Sequence, residues 1–139
     1  MKTKSMRIKS QTDRLIDVRG FVSDAARRFG FDDEEVSKIA LAVDEACTNV
    51  IKHAYKFDPN RTLTIKINLH KQEFEVLIMD HGFPFNPDAI RLPDMKEYLS
   101  HYQHGGLGVY LMKSLMDKVE YDIEPGKLNK VRLVKYLSR

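Results

Sequence analysis

The stretch 62-TLTIKINLHKQEFEVLIMD-80 decides the fold of this chain. Its first part, 62-TLTIKINL-69, alternates polar and apolar residues with a period of two, and 73-EFEVLIMD-80 follows after a short polar turn at His70 to Gln72. This alternation is typical of a strand with one buried face, and two such runs joined by a short turn indicate a β-hairpin. One face of the hairpin therefore needs other elements to cover it.

Two helices are predicted before the hairpin. A short strand at residues 6–10 comes first, and apolar residues then recur at helical spacing over 15–29, where Gly30 is well placed to end the helix. The acidic run 32-DDEE-35 favours the start of a second helix, whose apolar positions continue to Ala54. At 3.6 residues per turn, this second helix has about six turns.

The C-terminal half predicts a long loop, a third helix and a second hairpin. Residues 81–106 carry three prolines and several glycines, and only a weak helical pattern, so we predict a long loop there. A helix follows over 107–116, and 118-KVEYDI-123 and 129-NKVRLVKYL-137 form the closing hairpin. Hairpins with helices on one face make an α+β, two-layer sandwich.

Composition and charge favour one globular domain over residues 1–139, a common domain size. The 23 Lys and Arg residues against 20 Asp and Glu leave a net charge of +3, and their scatter along the chain argues against direct nucleic acid binding. No apolar run approaches the ~18 residues of a membrane span, and the first ten residues lack the apolar part of a secretion signal. We therefore expect a cytoplasmic protein with no membrane contact. Cys47 is interpreted as a small core residue.

Polar residues on the second helix and at the end of the first hairpin form a candidate site. Glu45, Asn49 and His53 are four residues apart, so they form one row at the border of the apolar stripe and are expected to face a pocket beside the sheet. Taken singly, each is equally typical of a solvated helix flank. Asp80 ends a buried strand, and Gly82 allows a turn after it, so the Asp80 carboxylate is well placed to accept a hydrogen bond from a ligand amine.

The stretch 104-HGGLGVYLMKSLMD-117 places three glycines at the head of the predicted third helix. Glycine is costly there, because it loses more chain entropy on folding than other residues and contributes no packing. A flexible turn is one interpretation. The other is a phosphate cradle, because free amides at a helix start bind anions and glycines allow a close approach.

The blocks 45-EACTNVIKHAY-55, 80-DHGFPFNP-87 and 105-GGLGVYLMKSLMD-117 resemble, in this order and spacing, the three nucleotide-binding boxes of the GHKL (histidine kinase-like) ATPases. The chain is most similar to the bacterial anti-sigma factor serine-protein kinases of that superfamily, over nearly its whole length. The resemblance implies the Bergerat type of two-layer α/β sandwich, with a mixed, mostly antiparallel sheet. Pro84 departs from the pattern, since many relatives have glycine there, and it removes one amide from the predicted nucleotide lid.

The resemblance also implies roles for the candidate residues. Asn49 would hold Mg²⁺ against the phosphates of ATP, and Glu45 would take the proton from the attacking hydroxyl. The resemblance does not assign His53, which its position in the row makes a candidate to orient Glu45 or contact a phosphate. A structural His53 is an equally good interpretation. Asp80 would bind the adenine amino group, with Gly82 leaving room for the base. The phosphates would be wrapped by the backbone of Gly105, Gly106, Leu107 and Gly108.

By the same resemblance, the protein is expected to be an ATP- and Mg²⁺-dependent serine/threonine protein kinase. Its substrate would be an anti-anti-sigma protein of the STAS fold, and it would also sequester a sigma factor. A nucleotide-gated partner switch with little or no kinase activity is the main alternative, although the presence of both Glu45 and Asn49 favours the enzyme. A detached histidine-kinase catalytic domain is a weaker alternative.

The surface of the first helix is the predicted partner-binding region. It carries Arg14, Asp17 and Asp24 beside its apolar stripe, with Arg19 at the border. The resemblance also implies a homodimer that docks its protein partners near this region. We therefore expect a homodimer in which Arg19 contributes charge-assisted hydrogen bonds to the protein target. Alternatively, Arg19 is a surface residue whose stem covers the edge of the core. His101 and His104 have a spacing that could hold a metal, but solvated loop histidines explain them better.

Overall fold

The computed structural model describes residues 2–84 and 107–138, with the side chains of Leu107 and Gly108 excluded. Five strands form one sheet, and helices cover one of its faces. The strands are β1 (Lys2–Lys9), β2 (Thr62–His70), β3 (Glu73–Asp80), β4 (Lys118–Glu124) and β5 (Leu128–Tyr136). The helices are α1 (Leu15–Phe29), α2 (Asp33–Asn49) and α3 (Leu107–Leu115), and a single 3₁₀ turn (Thr12–Arg14) precedes α1.

The strand order is β1-β2-β3-β5-β4, and every neighbouring pair is antiparallel. The predicted α+β two-layer sandwich is confirmed, while the few parallel pairings of a mixed sheet do not occur among the described strands. β1 begins four residues before the predicted start and pairs along its whole length with β2, from Lys2 opposite Leu69 to Lys9 opposite Thr62. The apolar alternation covers only the second half of β1, and the residues of its first half are exposed.

The core lies between α1, α2, α3 and the inward face of the sheet. Inward strand residues alternate along the sequence as predicted, so that Ile65, Ile78 and Val131 stand side by side on three neighbouring strands. Ile39 on α2 and Met112 on α3 are fully buried against this layer. α2 contacts both α1 and α3, which makes it the central helix. No helix in the described part of the chain is long and apolar enough to span a membrane.

Helix ends follow the predicted signals with one exception. The Asp32 side chain caps α2 by accepting a hydrogen bond from the Glu35 amide at 2.9 Å, and Gly30 ends α1 with φ of +122°. However, α2 does not continue to Ala54 as an α-helix, because residues Val50–Ala54 form a π-helical segment. In this segment the Tyr55 amide donates to the Val50 carbonyl at 2.9 Å, a spacing of five residues. Short π-helical segments are frequent at functional sites.

Candidate functional site

A cleft lies between the C-terminal end of α2 and the inward face of β3, β5 and β4. Its walls are mainly apolar, and its polar side chains include those of Asn49, Asp80 and Asn129. Apolar walls with a few fixed polar groups are typical of small-molecule sites. The cavity volume is about 30 Å³, room for about one water molecule, and the cleft is partly open to solvent.

Asp80 is the buried acid of this cleft, with a relative exposure of 4%. Its Oδ1 accepts hydrogen bonds from the Gly82 amide at 2.8 Å and from Asn129 Nδ2 at 2.9 Å. Burial raises the pKa of Asp80, and the hydrogen bonds from Asn129 and Gly82 oppose that rise. Both of these bonds end on Oδ1, which leaves Oδ2 as the oxygen that neither of them engages.

Asn129 is a site residue that sequence reasoning missed. It lies opposite Asp80 in the β3–β5 ladder, is 8% exposed, and donates from Nδ2 to the Gly82 carbonyl at 3.0 Å as well as to Asp80. A signal was available, because Asn129 occupies the same inward alternation as Val131 and Leu133. A polar amide in an otherwise apolar row needs a buried partner.

Asn49 is the last residue of α2, and it is the member of the predicted polar row that lines the cleft. Its Nδ2 is buried and has no hydrogen-bond partner within residues 2–84 and 107–138. The assignment of O and N in an asparagine amide follows from its hydrogen bonds, so an amide without partners can present either atom to a ligand. Since an unsatisfied buried amide costs ~1 to 3 kcal/mol, the group fits a site that a ligand completes.

Glu45 and His53, the other two members of the predicted row, do not line the cleft. Glu45 is half-buried one turn before Asn49, whereas His53 is exposed in the π-helical segment, whose wider turn breaks the expected row. Burial raises the pKa of Glu45, the neighbouring Asp44 raises it further, and Lys52 lowers it. Burial and Lys52 lower the pKa of His53.

Gly82 is required by packing against the helix end. A Cβ at Gly82 would lie 2.3 Å from the carbonyl oxygen of Ala54, which is closer than any real contact. The next amide, that of Phe83, donates to the same carbonyl at 2.8 Å. The structure thus gives a reason for the glycine that differs from the predicted one, which was room for a bound base. The tight contact holds the turn after Asp80 against the end of the segment that follows Asn49.

Tyr55 fixes the same junction from the other side. Its hydroxyl donates to the Thr62 carbonyl at 2.5 Å and accepts from the His81 amide at 2.9 Å. Burial raises the pKa of the Tyr55 phenol, which keeps it protonated and able to donate. The Tyr55 hydroxyl therefore joins the end of the π-helical segment to the start of β2 and to the turn after β3.

The predicted phosphate-binding residues are only partly within the described chain. Gly105 and Gly106 lie outside it, as do His101, His104 and most of the predicted lid. Leu107 and Gly108 are the first two residues of α3, so their amides are at the N-terminal end of a helix. Helix N-termini favour anions, and the phosphate-binding role of these four residues stays a prediction.

Comparisons with known proteins agree with this architecture. Residues 8–135 match the family described as the histidine kinase-like ATPase domain. The serine-protein kinase RsbW of Bacillus subtilis is 33% identical over 138 residues, covering 96% of this chain and 84% of that protein. RsbW of Halalkalibacterium halodurans is also 33% identical, covering 99% and 85%.

Two solved structures share the fold. The RsbU and RsbW domains of a Mycobacterium tuberculosis protein superpose with a TM-score of 0.70 at 15% identity, covering 100% of this chain and 33% of that one. A chain of the SiaB-SiaC complex from Pseudomonas aeruginosa gives 0.70 at 11% identity, covering 94% and 88%. From the matched residues and the identity over nearly the full length, the chain belongs to the histidine kinase-like ATPase family, among the serine-protein kinases of the RsbW type.

Proposed function

We propose that this protein is a cytoplasmic, ATP- and Mg²⁺-dependent serine/threonine protein kinase that acts as an anti-sigma factor. It phosphorylates an anti-anti-sigma antagonist of the STAS fold and sequesters a sigma factor. One observation carries the nucleotide-binding part of the proposal. A buried acid, Asp80, and an unsatisfied buried amide, Asn49, line one apolar cleft.

The base of the nucleotide enters the apolar part of the cleft. Asp80 accepts a hydrogen bond from the adenine amino group through Oδ2, because its Oδ1 is already engaged by Asn129 and the Gly82 amide. These two donors favour the ionised carboxylate, which is the better acceptor. A keto group at the same position of a purine would place acceptor against acceptor, so the arrangement favours adenine over guanine.

The phosphates and the magnesium ion would be held between the end of α2 and the start of α3. Asn49 would hold the magnesium ion through its amide oxygen, and the backbone amides of Gly105, Gly106, Leu107 and Gly108 would bind the phosphates. Magnesium needs only one or two protein oxygens, and when bound it neutralises charge on the phosphates. The position of Asn49 as the last residue of α2, before the π-helical segment, supports this assignment.

Glu45 takes the proton from the substrate hydroxyl. Its half-buried position raises its pKa, which makes the carboxylate a stronger base than an exposed glutamate. Glu45 lies one helical turn before Asn49, the residue assigned to the magnesium ion.

Partner binding uses the surface of α1. Arg19 Nε donates to Asp44 Oδ1 at 3.0 Å, so the α1 surface is linked to the residue beside Glu45. Arg19 itself is 53% exposed and remains accessible to a protein partner. Two copies of the chain associate as a homodimer in this proposal.

The second candidate function is a nucleotide-gated partner switch with little kinase activity. The position of Glu45 outside the cleft wall favours it, since a switch needs no base close to the phosphates. The two functions share nucleotide binding and differ only in phosphate transfer.

Phosphate transfer to a purified STAS antagonist, measured with labelled ATP and Mg²⁺, distinguishes the two functions. We expect transfer by the wild type, a loss of about 10² to 10⁴-fold in Glu45→Ala, and unchanged ATP affinity, as for removal of a general base. Glu34→Ala, on the exposed first turn of α2, is the matched control. ATP binding without transfer would establish the switch, and the absence of ATP binding would exclude both functions.

A further inference from the structure

A groove at the opposite end of the sheet has the features of a protein-docking surface. It lies between the C-terminal half of α1 and the corner formed by the start of β1 and the β2–β3 turn. Its floor is apolar and consists of Ala25, Phe29 and Leu69. Its volume is about 470 Å³, enough for several side chains of a partner.

The rim of this groove is cationic. Lys2 and Lys4 rise from β1, Arg28 from α1 and Lys71 from the turn after β2, and all four are exposed. No Asp or Glu is among the residues that line the groove, and one of its four cations, Arg28, pairs with Asp24 at 3.1 Å. Four cations against one anion leave an excess of positive charge around an apolar floor. This complements a segment that is both acidic and apolar.

The floor is rigid. The Phe29 ring contacts those of Phe31 and Phe74, with centroids 5.8 and 5.7 Å apart, so it is fixed in an aromatic cluster of the core. β1 is also the outermost strand on this side of the sheet. The backbone groups on its outer edge are therefore available to pair with an extended segment.

We propose that this groove, formed by Lys2, Lys4, Arg28 and Lys71 around Ala25, Phe29 and Leu69, docks an acidic, amphipathic segment of a protein partner beside the β1 edge. A flat membrane surface fits less well, because the apolar residues form a recessed floor, and the large exposed hydrophobic residues of the described chain lie elsewhere. Nucleic acid fits less well, because the one aromatic ring of the groove is held within the core cluster and offers no free face for stacking.

The groove is separate from the nucleotide cleft. Leu69 belongs to the groove floor, and Leu63 lies at the end of β2 that is next to Asp80 in the sheet. These two leucines are six residues apart on β2. At 3.4 Å per residue this corresponds to about 20 Å. Changes in the groove should therefore leave nucleotide binding intact, and the groove proposal is independent of the kinase proposal.

The test uses the full chain and a synthetic ten-residue peptide of alternating Glu and Val. Binding is measured by calorimetry and located by amide NMR shifts. We expect wild-type binding with shifts at Ala25, Phe29 and Leu69, and at least a tenfold loss in Lys2→Glu/Lys4→Glu. Lys9→Glu/Lys113→Glu, which changes two exposed lysines outside the groove, is the matched control and should bind within twofold of wild type. Leu69→Thr tests the floor and should also weaken binding.

Three results would overturn the proposal. The first is no peptide binding by the wild type, or equal loss in the groove and control variants. The second is that the wild type binds vesicles of anionic lipid or duplex DNA more tightly than it binds the peptide, and that Lys2→Glu/Lys4→Glu abolishes this binding. That result would assign the surface to a membrane or to nucleic acid. The third is dissociation of a dimer by Lys2→Glu/Lys4→Glu in light scattering, which would make the groove a contact between copies of this chain.

Discussion

At the scale of single residues, two acids with raised pKa values stand on either side of Asn49. Asp80 is enclosed and has its Oδ1 fixed by Asn129 and the Gly82 amide, whereas Glu45 is half-buried near the charges of Asp44 and Lys52. Burial acts on both carboxyls in the same direction, but their surroundings differ. In the proposed function, Asp80 recognises a fixed group of the nucleotide and Glu45 exchanges a proton.

Replacement of Asp80 by Asn should separate stability from binding. The folded-state pKa of Asp80 lies above its unfolded value, so its contribution to stability is lost as pH rises through that interval, and the ionised form is a cost at neutral pH. Asn keeps an oxygen for the two donors and has no such cost. We expect Asp80→Asn to be at least as stable as the wild type at pH 7, with the difference shrinking as the pH falls through the raised folded-state pKa and vanishing near the unfolded-state pKa of about 4.

The same variant should bind ATP about 10 to 150-fold more weakly, as expected for loss of a charged acceptor worth ~1.5 to 3 kcal/mol. Thermal unfolding against pH and calorimetry with ATP provide the two measurements. Asp122→Asn, at an exposed position of β4, is the control. Wild-type ATP affinity in Asp80→Asn would remove this residue from the site.

The pH dependence of phosphate transfer should report the Glu45 carboxyl. A general base acts when deprotonated, so activity should fall with decreasing pH, and the raised pKa places that fall above the range of an exposed glutamate. Lys52→Met removes a cation that lowers this pKa and should move the acid limb to higher pH. Asp44→Asn should move it to lower pH. Limbs that stay in place in both variants would show that Glu45 does not titrate in the reaction.

At the scale of elements, the end of α2 determines the geometry of the cleft. The α-helix ends at Asn49, the π-helical segment Val50–Ala54 carries the chain on, and the turn after β3 packs directly on the Ala54 carbonyl. The cleft thus depends on close contact between a helix end and a strand end. Glycine at position 82 makes that contact possible.

Gly82→Ala should be strongly destabilising, since its Cβ would have to displace the Ala54 carbonyl and the Tyr55 ring, at 2.3 and 2.7 Å. A backbone clash of this kind typically costs ~2 to 4 kcal/mol. Gly20→Ala is the matched control, because Gly20 is on the exposed side of α1 with nothing within 4 Å of its Cβ position. That change should stabilise the protein by ~0.5 to 1 kcal/mol. Urea denaturation measures both, and a Gly82→Ala cost no larger than 1 kcal/mol would contradict the packing argument.

At the scale of the whole molecule, three surfaces are arranged along the two-layer sandwich. The proposed nucleotide cleft is at one end of the inward sheet face, the cationic groove is at the other, and the exposed side of α1 is the third surface. The Arg19–Asp44 pair joins α1 to α2 one residue before Glu45. The pair provides a direct physical link between the proposed partner surface and the proposed base.

Arg19→Ala should weaken binding of the protein partner while ATP affinity stays unchanged. Because the Arg19 side chain is 53% exposed, its ion pair with Asp44 adds little to stability, so the free energy of unfolding should change by less than ~1 kcal/mol. Arg27→Ala is the control, because it removes an ion pair with Asp33 at the opposite end of α2 from Glu45. Calorimetry with the partner measures the effect, and light scattering at tens of micromolar tests the homodimer. A monomer, or a partner affinity indifferent to Arg19→Ala and Arg14→Ala together, would contradict the docking model.

The sequence alone determined the element order, the two hairpins, the central helix and the polar residues at its end. These follow from local rules, namely period-two and helical alternation, glycine at helix ends and acidic caps, which operate over a few residues. The three nucleotide-binding blocks were recognisable for the same reason, because each is short and continuous. Asp80 at the end of a buried strand was accordingly visible before the structure.

Only the tertiary structure decided how these pieces meet. The pairing of β3 with β5 brings Asn129 against Asp80 across 49 positions of sequence, and no local pattern contains that contact. The wider turn of the π-helical segment takes His53 out of the row that Asn49 occupies. Residue spacing alone did not predict this turn, because it also depends on packing against the sheet. The cationic groove combines residues from β1, α1 and the β2–β3 turn. Charges that look scattered along the chain gather there because folding brings distant segments together.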